Sequence, residues 1–107
     1  MDETSLIAFR DFARERLLSA GKLGTLVGER QFHFLLGLGP EPVSLRALRS
    51  GGHPLSRLYT GVTAKTLTRD IHFLGQQRLI VVSGDELRPN LDFMRRFTAT
   101  RPEAASS

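Results

Sequence analysis

Apolar side chains recur at spacings of three and four from Thr4 to Ala20, at Leu6, Ile7, Phe9, Phe12, Ala13, Leu17 and Leu18. Arg10, Asp11, Arg14, Glu15 and Arg16 fill the positions between. This period predicts an amphipathic helix, and Gly21 stands where a helix stop is expected. Gly24 and Gly28 follow as a weak stretch, read as a bend or a short helical piece. A second helix is expected from Glu29 to Leu38, with Phe32, Leu35 and Leu36 on its apolar side and His33 at the surface or rim. Gly37, Gly39 and Pro40 end it, because glycine tolerates positive φ and proline lacks the N–H that a helix needs. Glu41-Pro42-Val43 is expected to be extended. Ser44 can cap a short helix through Arg49, with Leu45 and Leu48 pointing inward.

The stretch Ser50 to Val62 reads as a loop, on the strength of Ser50-Gly51-Gly52-His53-Pro54, with Leu55, Leu58 and Tyr59 as apolar anchors. A longer helix is expected from Thr63 to Gln77. At about 100° per residue, Leu67, Ile71, Leu74 and Arg78 share one side of it, with Thr63 near the edge. Lys65, Arg69, His72 and Gln76 lie opposite, flanked by Thr68 and Phe73. Asp70 falls nearer the core-facing side, where it can pair with a neighbouring arginine or accept backbone hydrogen bonds. Leu79-Ile80-Val81-Val82 reads as a strand, Ser83 to Glu86 as a tight turn, and Leu87-Arg88-Pro89 as a returning strand. Pro89 marks that strand's outer end or an exposed edge. Asn90 to Phe97 predicts a helical turn or two, and 98–107 a flexible tail.

Short helix, longer helix, β-hairpin: this order predicts an α+β fold, mostly α. The expected architecture is a winged helix-turn-helix with a two- or three-stranded wing and an extra N-terminal helix. Residues 1–28 would be that helix and a bend, 29–97 the winged-helix domain and 98–107 the tail. The pair would be Ser44–Arg49 and Thr63–Gln77, joined by a link longer than the usual turn of roughly 3–4 residues. The N-terminal stripe either packs in the core or forms a homodimer contact through Leu6, Phe9, Phe12 and Leu17. Leu67, Ile71 and Leu74 are expected to be buried with Leu45, Leu48 and Leu79.

Composition narrows this picture. A chain of 107 residues makes one domain, or one small domain with an added helix. It has no cysteine, which excludes disulfides and thiolate metal sites. No apolar run approaches the roughly 20 residues of a membrane span, and Met1-Asp2-Glu3 begins no signal-peptide core. A cytoplasmic protein with no membrane partner is expected. Fifteen Lys and Arg against eleven Asp and Glu give a net charge of +4 and a pI near 10.6. A mildly basic small domain suits nucleic acid.

The outward face of the Thr63–Gln77 helix sharpens that expectation. It holds two cations, an imidazole and an amide, and no carboxylate. Lys and Arg meet phosphates, Arg reaches guanine through two hydrogen bonds, and Gln pairs a donor and an acceptor with adenine. Double-stranded DNA is therefore the expected partner. Lys65, Thr68, Arg69, His72 and Gln76 would face the major groove, Thr63 and the helix start a phosphate, and Arg88, beside the turn, a neighbouring backbone.

"VTAKTLTRDIHFLGQQRLIVV" resembles the recognition helix and first wing strand of DeoR-type winged helices. Thr63, Thr66, Arg69, Asp70, Ile71 and Leu74 match, as does the strand entry Leu79-Ile80. The usual glycine before that entry is Arg78 here, so a different helix exit is expected. A long helix, then "GERQFHFLL", then "SRLYTGVTAKTLTRDI" and "RPNLDFM", is similar to the C-terminal part of bacterial Fic-domain proteins. In that family a winged helix often follows the AMP-transferring domain. The Fic signature, His-Pro-Phe with a Gly-Asn-Gly-Arg segment, is absent, since His53-Pro54-Leu55 has no Gly-Asn-Gly after it. The resemblance therefore implies the regulatory or DNA-binding end of such a protein, without its enzyme.

Catalysis is not expected from the residues either. His33, His53 and His72 lie in different elements, with no metal-ligand spacing. "GLGPEP" lacks the third glycine of a dinucleotide fingerprint, and "SGGH" lacks the strand and the Lys-Ser/Thr end of a P-loop. No metal or cofactor is expected. Two functional expectations stand: a DNA-binding winged helix of a bacterial transcriptional regulator or Fic-like protein, and a protein-interaction winged helix docking on a partner domain or subunit.

Overall fold

The structure, a computed structural model, describes residues 3–99. Its elements are α1 (Glu3–Ser19), α2 (Leu26–Leu36), β1 (Val43–Ser44), α3 (Leu45–Ser50), a 3-10 helix (Pro54–Tyr59), α4 (Ala64–Gln76), β2 (Ile80–Ser83), β3 (Glu86–Pro89) and α5 (Leu91–Ala99). The fold is α+β and mostly helical, with one small antiparallel sheet in the order β1-β3-β2.

The helix starts follow from local chemistry. Ser44 accepts from the Ala47 N–H at 3.2 Å and so caps α3. Asn90 does the same for α5, accepting from the Phe93 N–H at 3.1 Å. Helix α2 begins before the expected Glu29, at Leu26. Thr25 caps it by accepting from Gly28, and the helix stops at Leu36 instead of Leu38. Gly28 reads as a break in the sequence, but it is buried inside the helix. A Cβ there would strike the Lys22 backbone carbonyl, so the residue lets α2 fold back close to the end of α1.

The link between α3 and α4 is not a bare loop. His53 Nδ1 accepts from the Leu55 N–H at 3.1 Å, Pro54 takes the first position, and the 3-10 helix seats Leu55 in the core. Strand β3 is central in the sheet, so Pro89 marks the strand's end and not an edge. It pairs with Ile80, beyond the two residues of β1 that pair with Leu87 and Glu86, and its missing N–H costs no bond to β1. Arg78, standing where the DeoR-type pattern has glycine, takes a left-handed φ of 60°. Helix α4 thus ends in a left-handed turn at an arginine, with backbone bonds from Arg78 N–H to the Gly75 carbonyl and from Leu79 N–H to the Leu74 carbonyl, both 3.0 Å.

One core runs through the described residues. Phe9, Phe12 and Leu17 of α1 meet Phe34 and Leu35 of α2, Leu45 and Leu48 of α3, Leu67 and Leu74 of α4, Leu79, Ile80, Leu87 and Met94. Ile71 packs against this cluster from its edge. The expected self-interface is corrected here. Phe9, Phe12 and Leu17 are buried within the chain, and Leu6 is half-buried. Phe93 and Phe97 of α5 stack edge-on against Phe12 at ring distances of 5.8 and 5.4 Å and cover the stripe from the other end of the chain. The large apolar residues of α1 left exposed are Ile7 and Leu18, each 52% accessible. No helix among the described residues is long and apolar enough to cross a membrane.

Candidate nucleic-acid interface

Helix α4 is positioned by its own buried acid. Asp70 is only 2% exposed, yet it gathers four hydrogen bonds. Arg30 grips it with two, Nε to Oδ2 at 2.7 Å and Nη2 to Oδ1 at 3.1 Å. Gln31 Nε2 donates to Oδ1 at 3.0 Å and the Tyr59 hydroxyl to Oδ2 at 2.8 Å. One carboxylate thus ties α4 to α2 and to the 3-10 helix. A buried ion pair with fork geometry and further donors meets the conditions under which such a pair is tolerated. The hydrogen bond to Asp70 holds the Arg30 guanidinium in its charged form more firmly than usual. Burial, helped by the hydrogen bond to Asp70, pushes the Tyr59 phenol well above the ordinary tyrosine range.

The consequence lies on the other side of the helix. Asp70 is the one acid in α4, and it faces inward. Lys65, Arg69, His72 and Gln76 follow one another at steps of four, three and four and form one stripe, with Thr68 beside it; all five are exposed. Gln76 Nε2 lies 3.0 Å from His72 Nε2, so these two side chains stand together. The Thr68 hydroxyl donates back to the Ala64 carbonyl at 3.2 Å. Thr63 holds the N-cap position without capping; its Oγ1 lies 3.3 Å from Thr66 Oγ1. The Thr66 N–H in the first turn of α4 donates to the Thr63 carbonyl at 3.0 Å.

Arg88 is not brought to this stripe. It pairs with Glu86 at 3.1 Å, both side chains being about half exposed. It borders a groove with Pro40, Pro42, Val81, Asp92 and Arg95, none of which belongs to α4. The hairpin tip does not stand free either. Asp85 accepts from the Ser44 hydroxyl at 2.6 Å and from the Arg46 N–H at 2.9 Å, and its carbonyl accepts from the Leu45 N–H at 2.7 Å. The Ser44 hydrogen bond, then that from the Arg46 backbone, holds the Asp85 carboxyl below its usual range. The tip is latched to the start of α3.

Reading from the sequence finds the α4 stripe but misses Arg49 and Arg57, both exposed and without an ion pair among the described residues. The missed signal is a count: residues 42–69 contain no Asp or Glu. Compared with known proteins, the chain matches no family model, no curated protein and no solved structure. The likeness to DeoR-type and Fic-associated domains therefore rests on the motifs quoted above.

Proposed function

We propose that this chain is a DNA-binding domain of winged helix-turn-helix type, from a bacterial transcriptional regulator or the C-terminal part of a Fic-like protein, with α4 as the reading helix. The order α2-β1-α3-3-10 helix-α4-β2-β3 and the sheet order β1-β3-β2 support the architecture. The observation that carries the function is the inward turn of Asp70. It leaves the exposed side of α4 with Lys65 and Arg69 and without a carboxylate to oppose a phosphate. B-DNA's major groove admits a helix. Lys65 would meet a phosphate, Arg69 the two acceptors of a guanine, and Gln76, beside His72, an adenine edge.

Duplex binding across a salt series tests this. Binding should weaken steeply as salt rises. Lys65→Ala should weaken all sequences alike and lower the salt slope by about one, whereas Arg69→Ala should cost about 1–3 kcal/mol and relax preference at one position. A chain that binds no duplex at low salt would refute the proposal. A docking role on a partner domain or subunit has its own support in Leu26, which is 91% exposed, and its exposed neighbour Val27. That role predicts neither salt effect.

A further inference from the structure

We infer that the DNA backbone is gripped from α3 and the 3-10 helix, by Arg49 and Arg57, and that the β2–β3 hairpin stays off it. The inference rests on the DNA reading above and assigns its phosphate contacts.

Charge distribution is the first ground. Residues 42–69 hold Arg46, Arg49, Arg57, Lys65 and Arg69, and none of the chain's eleven acids. The run begins after Glu41 and ends at Asp70, which is buried against Arg30. Within this segment the chain carries cations and no acid, and the carboxylate that reaches it from elsewhere is that of Asp85, at Ser44 and the Arg46 N–H. Continuity is the second ground. Arg49 borders a cleft of about 270 Å³ with Ser50, Thr63 and Ala64, at the start of α4. Gly51 and Ser56 are shared with an adjoining cleft of about 400 Å³, bordered by His53, Arg57 and Thr60. Arg49 and Arg57 thus border two adjoining clefts, and the first of these reaches the beginning of α4 at Thr63 and Ala64. Guanidinium groups suit such positions because their planar fork matches phosphate oxygens.

The hairpin differs in every one of these respects. Its turn carries Asp85 and Glu86. The Asp85 carboxylate accepts from the Ser44 hydroxyl and the Arg46 N–H, so an acid already occupies that end of the surface. Arg88 is engaged by Glu86. A phosphate brought to the tip would meet two carboxylates, and the latch to Ser44 biases the tip toward the start of α3.

The test is fluorescence anisotropy of the full chain with a labelled random-sequence duplex over a salt series. Arg49→Ala and Arg57→Ala should each lower the salt slope by about one and weaken binding roughly tenfold near 0.1 M salt, while Arg88→Ala leaves both unchanged. Arg49→Lys and Arg57→Lys should keep the slope, because a phosphate contact needs the charge; a merely structural arginine would not be rescued in this way. Thermal melts of each variant separate loss of contact from loss of fold. Wild-type slopes in both alanine variants, or a lowered slope in Arg88→Ala, would overturn the inference and leave α4 as the DNA-reading helix. No binding by the wild-type chain at low salt would remove the DNA reading and this inference together.

Discussion

The underside of α4 and the tip of the β2–β3 hairpin are built alike, with one carboxylate collecting donors from a distant segment. Beneath α4, the buried Asp70 and Gln31 join the half-buried Arg30 and Tyr59. At the tip, Asp85 joins the Ser44 hydroxyl and the Arg46 N–H in full contact with solvent. Water decides what each arrangement is worth. A buried charge that loses its partner cannot be solvated, so the pair has to stay intact. An exposed carboxylate that loses its donors is simply rehydrated, and the latch is correspondingly weak. The first site can fix how a helix sits. The second can only bias where a hairpin rests.

The largest effect that separates the two regions should come from Asp70→Ala. It strands the Arg30 guanidinium and leaves the Gln31 amide and Tyr59 hydroxyl without their acceptor. Breaking a buried pair in this way costs about 3–5 kcal/mol. The lower end applies here, because the Arg30 side chain keeps 18% of its accessibility. Urea denaturation measures the loss. Replacing Arg30 and Asp70 together with apolar residues of similar size should recover part of it. A loss below about 1 kcal/mol for Asp70→Ala would erase the contrast with the tip.

The sequence shows what local periodicity can show. Phe9, Phe12 and Leu17 on one helix side, Leu67 and Leu74 on another, the Ser44 cap and the apolar run Leu79 to Val82 before the turn at Ser83 to Glu86 are all short-range signals, and the elements they foretell are present. The partners of the two carboxylates are not short-range. Arg30 and Asp70 stand 40 positions apart and Ser44 and Asp85 stand 41, so no window of the chain contains both members of either pair. The burial of Phe12 is hidden for the same reason. Its cover, Phe93 and Phe97, comes from the last described helix, and a stripe without visible cover reads equally as core or as dimer contact. Gly28 misleads differently. Glycine argues against a helix by propensity, but here the lack of a side chain is what close packing against Lys22 requires.

A smaller effect sharpens the comparison within the buried site. Tyr59→Phe removes a hydrogen bond to a charged acceptor while Arg30 and Gln31 still hold the carboxylate. Its cost should be about 1.5–3 kcal/mol, near the lower figure because the remaining donors stay in place. Its pH dependence has a definite sign. The folded-state pKa of Tyr59 lies above the unfolded value of 10.0, so the stabilisation is complete below pH 10.0 and is lost as pH rises past it. Tyr59 is the chain's one tyrosine, so ultraviolet absorbance follows its ionisation directly. Denaturation at neutral and alkaline pH should show the wild type losing stability in alkali and the phenylalanine variant losing less. Equal alkaline losses would mean that the Tyr59 hydroxyl is not held by Asp70.

The smallest effect belongs to the tip. Asp85→Ala takes the acceptor away from the Ser44 hydroxyl and the Arg46 N–H, but Ser44 still caps Ala47 and water reaches every group set free. The melting temperature at neutral pH should fall by less than in either variant of the buried site. Acid behaviour identifies the latch. The Asp85 pKa is lowered in the folded state, so its stabilisation is present above the unfolded value of 3.8 and is lost as pH falls through the lower folded value. Thermal melts carried down to about pH 2 should therefore show the wild type converging on the alanine variant, with the gap between them closing below pH 3.8. A gap that persists unchanged in acid would show that Asp85 stabilises the tip by something other than its charge. A gap absent at neutral pH would mean that the hairpin tip is free.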